Sequence, residues 1–254
     1  MSNAFLGKLT TKWDEGKFVC VGLDSADFAL NQKVIDATFD LVCAYKPNSA
    51  FYEAEGIKGL ETLKKTVQYI KEKSPEIPII LDAKRGDIGN TNEAYVVAAF
   101  NELGVDAITV HPYLGKEALQ PFLDRTDKGI IILVKTSNPG AGEFQDLEVE
   151  GKPLYQVVAE HVREWNTNGN CAVVVGATYP EELKIVREII GDAPILVPGV
   201  GTQGGDLSAT LKNGLNSKKQ GLIINSSRGI ILAPDPREAA LTLHSQIQEI
   251  LKDE

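Results

Sequence analysis

The chain has 254 residues, of which 43% are apolar, and a formal charge of −9 at neutral pH. That length is ordinary for one α/β barrel, the apolar share supports a large core rather than disorder, and the acidic balance disfavours nucleic acid or an anionic membrane surface as the main partner. A small anionic ligand stays possible, because local basic residues decide that. No apolar run approaches the ~20 residues of a membrane span. The start, "MSNAFLGKLT", has no signal-peptide core. Cys20, Cys43 and Cys171 sit in apolar segments at no metal-ligand spacing and read as reduced core thiols, which gives the expectation of a cytoplasmic protein. With three His and one Met, a His-built metal site is not expected.

In chain order, short apolar runs end in a polar residue and lead into amphipathic stretches. The runs are "FVCVGLD" (18–24), "LVCAYKPN" (41–48), "IPIILDAK" (77–84), "DAITVHPY" (106–113), "GIIILVKTS" (129–137), "CAVVVGAT" (171–178), "PILVPGVG" (194–201) and "GLIINSSRG" (221–229). Near-continuous apolar strands imply burial on both faces, hence a parallel sheet. Helical patterns lie between them, for example over 56–73 and 153–168. Eight β-α repeats without a composition break predict a single (β/α)8 barrel domain over 1–254; the alternative is an open doubly wound sheet. No linker, low-complexity tract or second domain is visible.

Barrel enzymes build their sites at the C-terminal ends of the strands. Those ends read Asp24, Lys46, Asp82 with Lys84, His111, Ser137, Thr178, Pro198 and Arg228. Asp82 and Lys84, two apart, share a strand face and point into the barrel mouth, where Lys46 arrives from the neighbouring strand. One ion pair could simply plug the barrel top. Alternating Lys and Asp, with Asp24 on the same rim, instead suggests charges positioned for a reaction. Arg85 falls on the opposite face and is expected to pair outside. Asp87 lies in "RGDIGNT", before a helix expected from about Asn92. It reads either as a turn or helix-capping acid, or as a rim acid that projects into a neighbouring subunit.

"VPGVGTQGGD" (197–206) contains G-x-G-x-x-G, superficially a dinucleotide fingerprint, but it follows the seventh run rather than the first, and no acid for a ribose follows it. In a barrel, the loops after strands seven and eight make the usual phosphate site. Gly204 and Gly205 would let backbone amides approach an anion, and Arg228 supplies a planar cation. The ligand is thus expected to be a phosphomonoester whose reacting end lies near Lys84. The long segment 138–152 reads as a lid, or as a disordered surface excursion.

Together these residues resemble the orotidine 5′-phosphate decarboxylase family, through "GLD" (22–24), "YKPN" (45–48), "DAKRGDIGNT" (82–91), "TSNPG" (136–140), "PGVGTQGGD" (198–206) and "SSRG" (226–229). The wording "KRGDIGNT" and the long lid resemble the longer bacterial subgroup. The resemblance implies loss of CO2 from orotidine 5′-phosphate to give uridine 5′-phosphate, with no metal or cofactor, in a cytoplasmic homodimer that binds neither nucleic acid nor membrane. It implies that Asp24 holds the ribose hydroxyls, that Lys46 joins the charge network, that Asp82 faces the departing carboxylate and that Lys84 donates the proton. Asp87, Ile88 and Thr91 would enter the partner subunit's site. Ser137 would bond the pyrimidine edge, Pro198 would line the pocket, Gln203 and Arg228 would hold the phosphate, and Ser227 would join the substrate-binding set. Two other readings remain: a metal-dependent sugar-phosphate decarboxylase or aldolase of the same D-x-K-x-x-D barrel group, and a non-catalytic phosphate-ligand binder.

Overall fold

The computed structural model describes residues 3–201 and 204–253. Eight strands form the central sheet: β1 (Val19–Leu23), β2 (Val42–Pro47), β3 (Ile80–Arg85), β4 (Ala107–Val110), β5 (Gly129–Lys135), β6 (Cys171–Val175), β7 (Ile195–Pro198) and β8 (Leu222–Ser226). Their order is β2-β1-β8-β7-β6-β5-β4-β3, all parallel, and the bridges Tyr45↔Ile79 and Asn48↔Asp82 join β2 to β3. The sheet therefore closes on itself, and the open doubly wound alternative is set aside. Each of the eight apolar runs matches one strand, β3 extending one residue past its run to Arg85, as burial on both faces requires.

The helices are α1 (Ala4–Asp14), α2 (Phe28–Thr38), α3 (Ser49–Glu53), α4 (Gly56–Lys73), α5 (Gly89–Val96), α6 (Gly115–Leu123), α7 (Gly142–Gln145), α8 (Leu154–Trp165), α9 (Pro180–Ile190), α10 (Leu207–Gly214), α11 (Arg228–Ile231) and α12 (Pro236–Asp253). On α4, Thr62, Leu63, Thr66, Val67 and Ile70 form the buried stripe at the three- and four-residue spacing that an amphipathic helix needs. Helix α5 begins three residues before the expected Asn92 and continues as a wider π-helical turn, Val97–Leu103. Among the described residues, no helix is long and apolar enough to cross a membrane.

Helix α1 closes the N-terminal end of the barrel. Phe5, Leu9 and Trp13 are buried on it, and Trp13 Nε1 donates to Leu222 O at 2.8 Å. Asn3 caps α1 through its carbonyl and donates its amide to Thr126 O and Lys128 O. The opposite end, where the strands finish, is left free for a site. The 138–152 segment lies there as a turn at Pro139–Ala141, then α7, then a two-residue ladder pairing Glu148–Val149 with Lys152–Pro153.

All three cysteines are free and buried. Burial pushes the Cys20 and Cys171 thiols up to about 12, so they stay protonated at neutral pH and behave as core side chains.

Candidate active site

At the C-terminal end of the barrel, Asp82 is clasped by four donors. Lys46 Nζ lies 2.9 Å from its Oδ2 and Lys84 Nζ lies 2.6 Å from its Oδ1. Asn48 Nδ2 approaches Oδ2 at 3.4 Å, and Thr109 Oγ1 donates to Oδ1 at 3.0 Å. Asp82 and Lys46 are buried, whereas half of the Lys84 side chain is exposed. Burial by itself would lift the Asp82 pKa, but Lys46 and Lys84 overcome it and hold the carboxyl well below the usual carboxylate range. For Lys46, burial opposes the charge, while Asp82 and Asp24 outweigh it and leave its pKa above the ordinary lysine value. Asp82 and Lys46 are thus held in their charged forms near neutral pH.

Lys84 reaches Asp82 by a route that strand alternation alone does not describe. The β3–β4 register runs Leu81↔Ile108 and then Arg85↔Val110, so Asp82, Ala83 and Lys84 stand opposite Thr109 alone. Lys84 has φ +46°, a left-handed conformation uncommon outside glycine. The bulge turns its ammonium back onto Asp82. Bulges commonly re-aim a side chain beside an active site.

These charges line a cavity of about 530 Å³ together with Asp24, Ser137, Pro198, Asn225 and Ser227. Among the described residues, Asp24 Oδ1 and Asn225 Oδ1 are buried there with no hydrogen-bond partner, so each can accept from a ligand's hydroxyl or N–H. Gly22 lets β1 approach Ser227, because a Cβ at that position would collide with Ser227 Oγ. A larger groove of about 690 Å³ lies beside it, between Ser25–Ala29 and α4. Its charged residues, Asp27, Glu55, Lys58, Glu61 and Lys65, form no ion pair among the described residues, whereas Lys46 and Lys84 of the smaller cavity converge on Asp82, so the smaller cavity is the candidate site.

The next residues diverge from the cavity. Arg85 pairs with Glu53 and lies 5.1 Å from the Tyr95 ring, outside the barrel as expected. His111 sits behind the loop, with Nε2 3.1 Å from Gly86 O. Asp87 Oδ1 accepts the N–H of Ile88 at 2.7 Å, and both the N–H and the carbonyl of Asp87 are bonded by Asn92. Asp87 is therefore not an α5 cap in the side-chain sense: the cap position is Ile88, and Asn92 ties the loop. Among the described residues, Asp87 is in no ion pair within its own chain. Ile88 and Thr91 are exposed.

At the β7–β8 rim the backbone differs from the sequence expectation. Gly199, Gly201 and Gly204 all have positive φ, so the tight turn is real. The N–H of Gly204 donates to Gly201 O and that of Gly205 to Gly199 O, so both amides are engaged within the loop rather than available to an anion. An anion can instead meet Arg228 and the start of α11. There the N–H groups of Ile230 and Ile231 already reach Ser227 O, while those of Arg228 and Gly229 are the helix-start donors without an intrahelical acceptor. Gln203 lies outside the described residues.

The 138–152 segment is tethered to the mouth. The Gln145 amide accepts from Thr136 N at 2.9 Å and donates to Thr136 Oγ1 at 2.9 Å. Asp146 pairs with the fully buried Lys135, which lies 4.5 Å from the Tyr179 ring and 5.5 Å from that of Tyr155. Sequence reading overlooked Asn48, Thr109, Asn225 and Gln145. Asn48 lay inside the quoted "YKPN", and Asn225 was a polar residue in an otherwise apolar strand. Those were the available signals; Thr109 and Gln145 offered none.

The family model described as "Orotidine 5'-phosphate decarboxylase / HUMPS family" matches residues 17–243. A protein of Cupriavidus metallidurans named orotidine 5′-phosphate decarboxylase is 46% identical over 253 residues, covering 93% of this chain and 92% of its own. One of the same name from Cellvibrio japonicus is 45% identical over 269 residues, covering 96% and 98%. The solved structure of Leishmania donovani OMP decarboxylase superposes with a TM-score of 0.91 at 39% identity, covering 97% of this chain and 98% of that one.

Proposed function

The chain belongs to the orotidine 5′-phosphate decarboxylase / HUMPS family, and we propose how its residues carry out the decarboxylation of orotidine 5′-phosphate to uridine 5′-phosphate, the last step of UMP biosynthesis. The observation that carries the assignment is the Asp82 carboxylate held between the Lys46 and Lys84 ammonium groups on the wall of the cavity.

Breaking the C6–carboxylate bond leaves the electron pair on C6, in the ring plane, with little resonance relief. A cation fixed beside C6 stabilises that developing charge without reorganising, and its N–H then supplies the proton. Lys84 takes this role: its ammonium is partly exposed to the cavity and oriented by Asp82. Lys46 keeps Asp82 ionised. Asp82 faces the substrate carboxylate, and that repulsion is relieved as CO2 departs. Asp24 accepts from the ribose hydroxyls through its unpartnered oxygen. Ser137 bonds the pyrimidine edge, Pro198 packs beside it and Ser227 joins the binding set. Arg228 holds the phosphate, a role the family resemblance also gives to Gln203. Holding the remote phosphate assists lid closure and preorganisation.

The working unit is a homodimer with Asp87 supplied in trans, and Ile88 and Thr91 entering the partner's site. Three features support this. Asp87 has no ion partner among the described residues of its own chain. Ile88 is 62% exposed. Phe51, Ile57, Leu60, Tyr113 and Leu114, on segments following β2 and β4, are also exposed apolar side chains of the kind an isologous interface covers. The three protonated thiols and the soluble nucleotide substrate support a cytoplasmic location.

Two assays test this reading. Loss of orotidine 5′-phosphate absorbance is expected to proceed at the same rate with and without a chelator. Activity that vanishes with chelator and returns with magnesium would point instead to the metal-dependent sugar-phosphate chemistry. Mixing Lys84→Ala with Asp87→Ala under subunit exchange is expected to restore roughly a quarter of all sites, because half the dimers become hybrids with one intact site each. If exchange is verified and activity stays at the parental level, Asp87 acts within its own chain.

A further inference from the structure

Thr109 lies on β4, is 1% exposed, and stands alone opposite the three bulged residues of β3. A regular parallel ladder would give the N–H groups of that segment carbonyl acceptors on the neighbouring strand. Here the extra residues on β3 carry two of them past the ladder, and one side-chain oxygen receives both: Ala83 N donates to Thr109 Oγ1 at 3.0 Å and Lys84 N at 2.9 Å. The hydroxyl's own proton goes to Asp82 Oδ1 at 3.0 Å. A threonine hydroxyl has one proton and two lone pairs. All three are directed at the segment Asp82–Ala83–Lys84, so this one atom bonds the carboxylate and two consecutive backbone amides of that segment.

From this geometry, and resting on the proposed roles of Asp82 and Lys84, we infer that Thr109 is a positioning residue for decarboxylation: its hydroxyl fixes the bulge that aims Lys84 at the reacting carbon and holds Asp82 against it. The backbone of Lys84 is left-handed, a conformation that persists only where surrounding bonds over-determine it. The side chain of Lys84 is half exposed and flexible, so its aim depends on where its backbone is held. The same oxygen bonds the backbone of Lys84 and the side chain of its counter-ion. Turnover is therefore expected to be more sensitive to the hydroxyl than substrate affinity is, since the phosphate and ribose contacts lie on other strands.

The test compares wild type, Thr109→Val and Thr109→Ser. Valine keeps the shape and removes the hydroxyl; serine keeps the hydroxyl. Thr109→Val is expected to lose about a hundredfold in kcat, the scale of an ångström of misplacement, with KM and uridine 5′-phosphate affinity changed less than about threefold. Thr109→Ser is expected to stay within about fivefold of wild type on the same scale. Amide hydrogen exchange supplies a readout independent of turnover: the Ala83 and Lys84 N–H groups are expected to be protected in wild type and Thr109→Ser and to exchange faster in Thr109→Val. Wild-type enzyme that fails to decarboxylate orotidine 5′-phosphate would sink the functional reading itself. Active wild type with an equally active Thr109→Val, or a Thr109→Ser as impaired as Thr109→Val, would overturn the inference alone. If Thr109→Val does not fold, Thr109→Ala leaves room for a water to satisfy the two amides and is expected to fold with the same loss of kcat. Failure of both to fold would overturn the positioning role in favour of a purely structural one.

Discussion

Replacing Asp82 with asparagine keeps the shape and removes the charge that both lysines face. The two partners differ in what they lose. Lys84 is half exposed, so its share follows the surface value of about 0–1 kcal/mol. Lys46 has a side chain only 5% exposed and a partner 2.9 Å away. Leaving such a cation uncompensated costs about 3–5 kcal/mol, at the lower end here because Asp24 remains nearby. A net loss of about 3 kcal/mol lowers Tm by roughly 6–12 °C for a chain of this size. The pH dependence has a definite sign. The folded pKa of Asp82 lies below its unfolded value, so its stabilisation is complete above an unfolded pKa of about 3.9 and disappears as pH falls through that value toward the folded one. The gap between wild type and Asp82→Asn is therefore expected to be constant from about pH 5 to 8 and to narrow below about pH 4. Denaturant unfolding at pH 7 and pH 3.5 reads the gap, and the absorbance assay is expected to show kcat reduced by about 10³ or more, with orotidine 5′-phosphate binding not weakened. A variant within 1 kcal/mol of wild type at pH 7, or a gap that ignores pH, would refute the buried-charge reasoning.

Lys84→Ala is expected to lose several orders of magnitude in kcat while uridine 5′-phosphate still binds in a calorimetric titration, since the ammonium acts on C6 and not on the nucleotide's remote contacts. Arg228→Ala is expected to lose about 10² or more in kcat/KM for the nucleotide but to leave the slow reaction of the phosphate-free nucleoside unchanged, which steady-state kinetics on both substrates will read. Gln145→Ala removes both bonds to Thr136 and is expected to raise KM several-fold with little change in Tm, as steady-state kinetics and calorimetry will read. Arg187 is buried and donates to the carbonyls of Gly191, Ala193, Gly214 and Gly221. Arg187→Lys cannot serve all four and is expected to cost about 3 kcal/mol in denaturant unfolding without changing kcat.

The barrel was legible in the sequence because a strand buried on both faces must be apolar throughout. The runs around Val19–Leu23, Gly129–Lys135 and Cys171–Val175 announce themselves for that reason. The charges at the strand ends were legible by contrast: Lys46, Asp82 and Lys84 interrupt apolar runs at places where burying a charge is costly, so each marks a compensated site. Helix α4 followed from its spacing alone. Other features were decided only in three dimensions. Nothing in "DAITV" distinguishes Thr109 from an ordinary strand threonine, because its three bonds go to residues 25–27 positions away and depend on an extra two-residue offset between β3 and β4. The amides of Gly204 and Gly205 looked free for an anion, since a glycine-rich sequence gives the turn its latitude but not the partners its N–H groups take. Asp87 read either as a turn or helix-capping acid or as a rim acid, whereas in the fold Asn92 holds the loop by the Asp87 backbone and the Asp87 carboxylate accepts only from the neighbouring Ile88 N–H among the described residues. Composition and periodicity report how each residue meets solvent or core averaged along its own segment. Register, bulges and hydrogen-bond pairing are set between segments distant in sequence, and only their packing into one closed sheet fixes them.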